Sequence, residues 1–183
     1  MAIYGRVETT LLPNSENYSF QTNTEIENGM VMNMGALVAG ERSIYVGAIP
    51  TTATMANGEV YLVANPAWNY ENPTATSRNE ENFVNKADHP YKVYKLRKDN
   101  RFKVSDYTID AIDGSTPIAV GQFVAPQNGS GKLKASTSAP TTGFAGKVIA
   151  IDQSGFPFAV GSAGVLDGPF QMVLIQVLSN GAE

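Results

Sequence analysis

The stretch that comes nearest to a chemical motif is VAPQNGSGKLKAS, from Val124 to Ser136. Its Gly131-Lys132 pair, following a run of small residues, resembles a phosphate loop. A Walker A loop, G-x-x-x-x-G-K-[ST], cradles phosphate with backbone N–H groups and holds magnesium through its last hydroxyl. Here Pro126 stands at the first glycine position and Leu133 at the hydroxyl position. Proline also deletes an N–H from a loop that works through N–H donors. The segment that follows, ASTSAPTTG, offers no helix N-terminus for an anion. The stretch therefore reads as a hairpin turn over residues 126–131. Leu133 is expected to return to the core, with Lys132 and Lys134 facing water or a neighbour.

Other chemistries fail on residue type. His89 is the sole histidine and cysteine is absent, which leaves no zinc ligand set. Asp106, Asp110 and Asp113 lack the alternating spacing of a calcium loop. A Ser-His-Asp site would have to use His89, in KADHPY, and there is no G-x-S-x-G elbow. Glu80 and Glu81 are adjacent, and neighbouring residues on a helix do not share a face. No catalytic, cofactor-binding or metal-binding residue is assigned, no cofactor is expected, and the chain does not read as an enzyme.

Two groups of residues could bind. YKVYKLRKDNRFK places Lys92, Lys95, Arg97, Lys98, Arg101 and Lys103 around a single acid, Asp99, with Tyr91, Tyr94 and Phe102 interleaved. Three readings fit: a nucleic-acid strip, a hairpin whose cations face an acidic partner, and a solvated edge guarded by lysines. The net charge of -4 and pI of 5.0 count against nucleic acid and give no pull toward an anionic membrane. Trp68, Tyr70 and Tyr91 could instead serve as the stacking rings of a carbohydrate-binding module.

These residues must be positioned by strands. The chain has 183 residues, 43% hydrophobic and 16% charged, which suits a folded domain with a sizeable core. Short β-rich runs separated by turn residues dominate. Strands are expected at IYGRVETTLL, GMVMNMGALV, SIYVGAI, EVYLVA, YKVYKL, RFKVSD, IAVGQFVA, GKLKAS, FAGKVIAID, FPFAVG and FQMVLIQVL. The last is expected to be central and buried on both faces. Asn57-Gly58 and Asn128-Gly129 mark hairpins. One helix is expected in SRNEENFVNKAD, with Ser77 and Glu80 as a capping box and Phe83 and Ala87 on one face. The fold class is all-β, a barrel or sandwich, with a small inserted subdomain containing that helix and an extended N-terminal arm. The expected boundaries are an arm at 1–23, a β domain at 24–64 and 107–180, and the insertion at 65–106. No secretory signal or membrane span is read in the sequence. Ile26, Gly29 and Leu37 echo Ile118, Gly121 and Leu133, which reads as two similar hairpins in preference to a duplication.

Two regions carry a resemblance to a known family. One is EVYLVANPAWNYEN followed, after a polar insertion, by HPYKVYKLRKDNRFKVSD. The other is PIAVGQFVAPQNGSGKLKAST with GFAGKVIAID: a strand entering through Val-Gly, a turn, Gly-Lys-Leu and a Gly-centred strand. Together they resemble capsid decoration (cement, or head-auxiliary) proteins of tailed bacteriophages. The resemblance implies a non-catalytic virion protein, made in the host cytoplasm, on the capsid exterior. Its implied partner is the major capsid protein, whose lattice it would stabilise, with neighbouring copies of itself in anything from a monomer to a trimer. It implies no nucleic-acid or membrane partner. Strand addition by the arm would make Ile3, Tyr4, Val7, Leu11 and Leu12 the capsid-contact candidates, unless they pack on their own domain. Lys92, Lys95, Arg97 and Arg101 are the secondary interaction candidates. A head-fibre, tail or baseplate protein is the alternative, and a carbohydrate-binding module a further one.

Overall fold

The computed structural model describes residues 4–67, 82–154, 158–160, 165–167 and 170–181. The fold is mostly β, as expected. Two units of the same strand order follow one another along the chain.

The first unit is a closed barrel of β2 (Asn17–Gln21), β3 (Val31–Leu37), β4 (Ile44–Ala48), β5 (Tyr61–Val63) and β6 (Tyr91–Lys95), in the order β2-β4-β3-β5-β6. Alternation along each strand sends one set of side chains inward. Phe20, Met32, Tyr61, Val63, Tyr91 and Val93 fill the barrel, with Tyr18, Met30, Met34, Tyr45 and Ile49 packed against them. The opposite set points outward: Val31, Leu62 and Tyr94 lie in one cross-strand row, with Val60 and Leu96 beside it. A short helix, α1 (Ala53–Ala56), lies between β4 and β5.

The second unit is built from β7 (Arg101–Ser105), β8 (Ile109–Asp110), β9 (Phe123–Gln127), β10 (Ser130–Ser136), β11 (Ala145–Ser154) and β14 (Phe170–Ser179). Its strands run β8-β10-β9-β11-β14, with β7 beside β14. A small hairpin of β12 (Phe158–Val160) and β13 (Val165–Asp167) stands between β11 and β14 in the chain. β7 and β8 are one path interrupted by a 3-10 turn at Asp106–Thr108. Its first half pairs antiparallel with β14 and its second half parallel with β10. In the first unit β2 alone makes both pairings, antiparallel to β6 and parallel to β4. Chain continuity thus closes the second ring where hydrogen bonds close the first.

The likeness reaches individual hydrogen bonds. Gly29 N–H donates to Val63 O at 2.8 Å, and Val63 N–H donates to Met30 O at 2.8 Å. In the second unit Gly121 N–H donates to Val148 O at 2.8 Å, and Val148 N–H donates to Gln122 O at 2.9 Å. Both glycines hold positive φ, 82° and 93°, a conformation that favours glycine. The expected match of Ile26 and Gly29 to Ile118 and Gly121 is therefore structural, and the unit is duplicated in architecture, not merely two similar hairpins. Leu37 does not match Leu133: the first lies in β3, the second in β10, whose counterpart is β4.

The units pack end to wall. One buried cluster contains the outward residues Val31, Val60, Leu62, Tyr94 and Leu96 of the first barrel. The same cluster holds the inward residues Phe102, Val124, Val148, Ile175 and Val177 of the second unit. Asn180, just past β14, fastens the joint. Its Oδ1 accepts Val60 N–H at 2.9 Å, and its Nδ2 donates to Val60 O at 2.9 Å and to Leu96 O at 2.7 Å.

Several expectations need correction. The boundaries 1–23, 24–64 with 107–180, and 65–106 cut through the observed units. NYSFQ, assigned to the arm, is a barrel strand, and YKVYK, assigned to the insertion, is its hydrogen-bonded neighbour. β1 (Val7–Glu8) pairs with β7 of its own chain, so the N-terminal segment is docked and not extended. The helix expected at 77–88 falls partly outside the described residues. Beyond Asn82 the chain leaves helical geometry, because Asn85 is bridged antiparallel to Ile26. β14 is central but not buried on both faces: Met172, Val173, Ile175 and Val177 are buried, while Leu174, Gln176 and Leu178 are half-buried on the outside.

Candidate interaction surfaces

The motif at Gly131-Lys132 is a hairpin strand. Asn128-Gly129 makes the turn, with Gly129 at φ 80°, and β10 begins at Ser130. The turn is shorter than the expected 126–131, because Pro126 and Gln127 already belong to β9. Leu133 is fully buried and Lys134 exposed. Lys132 lies over the Tyr107 ring, its Nζ 3.7 Å from the centroid, a cation–π contact. Tyr107 OH donates to Glu27 Oε1 at 3.2 Å, and Glu27 Oε2 accepts Gly5 N–H at 2.8 Å. The lysine thus joins a tie between the two units and the N-terminal segment.

The capsid-contact candidates separate. Ile3 lies outside the described residues. Leu12 is buried and Val7 packs against the main core, so neither is free to dock elsewhere. Tyr4 O accepts the Ser105 hydroxyl at 2.9 Å, and Arg6 and Ser105 exchange further bonds. Of the four described, Leu11, at 55% exposure, is the one classed as exposed. Along one edge Val7 and Glu8 pair with β7, so the segment is docked on its own domain, with β1 as the terminal strand of the sheet.

Three of the six cations in the basic stretch are ion-paired where they stand. Lys95 Nζ lies 2.7 Å from Glu59 Oε1, and Arg97 Nε lies 2.7 Å from Glu16 Oε1. Lys103 Nζ lies 2.8 Å from Asp152 Oδ2 and 3.8 Å from Glu8, and the Asp152 hydrogen bond holds its pKa up. Lys92 Nζ sits 4.6 Å from the Tyr94 centroid. Arg101 is exposed. The interleaved rings are core: Tyr91, Tyr94 and Phe102 are all buried, which removes them as base-stacking platforms. Burial also pushes the Tyr91 hydroxyl up to about 12. The same burial takes Tyr91 out of a carbohydrate platform, while Trp68 and Tyr70 lie outside the described residues.

The remaining chemical candidates stay apart. His89 is exposed, with Nδ1 2.9 Å from Ala87 O. Asp113 closes a turn, accepting from Ser115 N–H, Thr116 N–H and the Thr116 hydroxyl. Those Thr116 and Ser115 bonds hold its carboxyl well below the usual carboxylate range. Among the described residues no cluster of His, Asp or Glu is placed to hold a metal ion.

A surface not singled out by sequence is the open end of the first barrel. Tyr18 and Tyr45, both half-buried, line it above the buried Tyr61, with Tyr18 edge-on to both others at centroid distances of 6.2 and 5.6 Å. Tyr61 OH donates to Glu59 Oε2 at 2.9 Å, and burial together with this acid pushes its pKa up. Lys95 pairs with Glu59 from β6. Leu37, 47% exposed, pairs with Tyr45 across the β3–β4 hairpin and so extends the same face. The signal available in sequence was that Tyr18, Tyr45 and Tyr61 each stand two residues before another inward position: Phe20, Gly47 and Val63.

A cleft of about 240 Å³ lies elsewhere, between β1 and the barrel, lined by Val7, Asn28, Asn65, Lys92 and Tyr94 among others. Its amides satisfy one another: Asn28 Nδ2 donates to Asn65 O at 2.9 Å and Asn65 N–H donates to Asn28 Oδ1 at 3.0 Å. No protein-family model, no curated protein and no solved structure matches this chain.

Proposed function

We propose that this chain is a structural virion protein that binds the outer surface of a tailed-phage capsid and stabilises the major-capsid lattice. The observation carrying the reading is that the segment with the resemblance, PIAVGQFVAPQNGSGKLKAST with GFAGKVIAID, folds as the continuous unit β9–β10–β11. Its strand order occurs twice in the chain, in a closed barrel and in a second unit joined to it by a buried cluster. The chain's surface presents short polar side chains and ion pairs. Affinity per copy can stay modest, because many symmetric copies on a shell supply the stability. The chain acts without cofactor or catalysis in this reading. The docked N-terminus and the ion-paired cations shift the contact away from an extended arm and toward side-chain surfaces.

The test is co-sedimentation with purified heads. Binding to expanded shells but not to precursor shells, with raised resistance of the shells to heat, is expected. No binding to either form ends the proposal. Assembly of the isolated chain into long regular tubes, as distinct from reversible concentration-dependent oligomers, would favour the tail-component alternative.

A further inference from the structure

The duplication creates two mouths and two walls, and among the described residues one of each is used. The mouth of the second unit is formed by Phe102, Phe144, Gly146 and Val177, and it is closed by the first barrel's outer wall. Their counterparts in the first unit follow from the pairings. Tyr61 pairs with Lys95 as Gly146 pairs with Val177. Tyr18 opposes Val93 as Phe102 opposes Ile175. Glu59 stands two residues before Tyr61 as Phe144 stands before Gly146. The first mouth is therefore the same end of the same architecture, left open, with tyrosines and an ion pair where its counterpart has apolar residues.

The walls correspond in the same way. The row Val31–Leu62–Tyr94–Asn17 of the first unit matches Phe123–Lys147–Gln176–Arg101 of the second. The first row is buried at Val31, Leu62 and Tyr94. In the second row Lys147 and Arg101 are exposed, and Phe123 and Gln176 are half-buried. Asp99, the acid nearest in sequence to Arg101, accepts a bond from Gln176 Nε2 at 3.2 Å.

We propose that copies of this chain associate mouth to wall: the open mouth of the first barrel in one copy receives the outer wall of the second unit in the next. The contact inside the chain supplies the geometry. The chemistry is complementary, since Lys147 and Arg101 meet tyrosine π faces, phenolic oxygens and the Glu59 carboxylate, while Phe123 meets Leu37. The polar, tyrosine-rich character of this pair of surfaces, against the apolar joint within the chain, suits a contact that forms between separately folded copies. Mouth and wall are different surfaces, so the association is heterologous and grows into rings or chains. This inference stands apart from capsid binding and is tested without capsids.

The test is sedimentation of the purified full chain over a concentration series. The wild type should gain mass with concentration. Leu37→Glu at the mouth and Lys147→Glu on the wall are both changes at exposed positions, and circular dichroism checks that each variant is folded. Each alone should remain monomeric, because each lacks one half of every contact. Mixed in equal amounts they should give a dimer and nothing larger, since one intact mouth and one intact wall remain. A wild type that stays monomeric throughout overturns the proposal. So does association that either variant retains, or a mixture that forms no dimer.

Discussion

Asn180→Ala tests the end-to-wall joint directly. The side chain makes three hydrogen bonds to backbone groups of the first barrel, one accepted from Val60 N–H and two donated to Val60 O and Leu96 O. Val60 and Leu96 are buried, at 0% and 1% exposure. Truncation leaves a buried donor and two acceptors short of a partner. At about 1 kcal/mol net per bond the loss is roughly 3 kcal/mol, and water entering beside the half-buried Asn180 would lower it. With a urea dependence of roughly 2 kcal/mol per molar, the midpoint should fall by about 1.5 M. Asn180→Asp sharpens the argument. It keeps the acceptor for Val60 N–H but loses both donors and sets a carboxylate against two carbonyl oxygens. That environment raises the carboxyl pKa in the folded state above its unfolded value. The deficit relative to wild type should therefore be smallest below the unfolded carboxyl pKa and grow as pH rises from there through the folded one. Urea titrations of the three proteins at neutral and mildly acidic pH provide the comparison. Midpoints of both variants within about 0.3 M of wild type would refute the clasp.

Four further outcomes are expected. Gly143→Ala should destabilise more than Gly121→Ala: both glycines have positive φ, costing about 1–2 kcal/mol for an alanine, but at Gly143 a Cβ would also meet Asn57 O at 2.6 Å, while at Gly121 the space is open; thermal melts read the difference. Raising pH from the ordinary tyrosine value of 10.0 toward about 12 should progressively remove stability, because buried Tyr91 keeps its proton in the fold longer than in the unfolded chain; denaturant midpoints against pH, in wild type and Tyr91→Phe, check this. Arg97→Ala should change stability by less than about 1 kcal/mol, since its partner Glu16 is met at a site where Arg97 is 62% exposed; a larger loss would mean the pair is structural. His89→Ala should leave the fold unchanged, given an exposed ring whose Nδ1 faces Ala87 O, and circular dichroism and thermal melts measure it.

Much of the fold was legible because strand alternation is a local property. Tyr91, Val93 and Lys95 against Lys92 and Tyr94, or the Asn128-Gly129 turn between β9 and β10, announce themselves within a few residues. β2 did not, because NYSFQ is short, polar at alternate positions and preceded by Pro13 in a turn-like run. Its assignment depends on β6, which lies far along the chain and closes the barrel with it. Of the helix expected at 77–88, the part from Phe83 onward gives way to a tertiary competitor: Asn85 exchanges backbone bonds with Ile26 at 2.9 and 3.0 Å. The N-terminal candidates were chosen for alternation, which is the same whether a strand pairs with a partner or with β7.

The sequence by itself determined the class of fold, the turns, and the failure of the phosphate-loop, zinc and triad patterns, because each depends on residue type at short spacing. Only the tertiary structure decided which face of each strand became core, wall or mouth. Leu62 and Lys147 occupy the same place in two copies of one architecture, yet the first is buried under the second unit and the second faces solvent. Residue type agrees with those fates, but strand alternation alone does not say which row a second unit will cover. The packing of one barrel's end on the other's wall does, by covering one row of side chains and leaving its counterpart open.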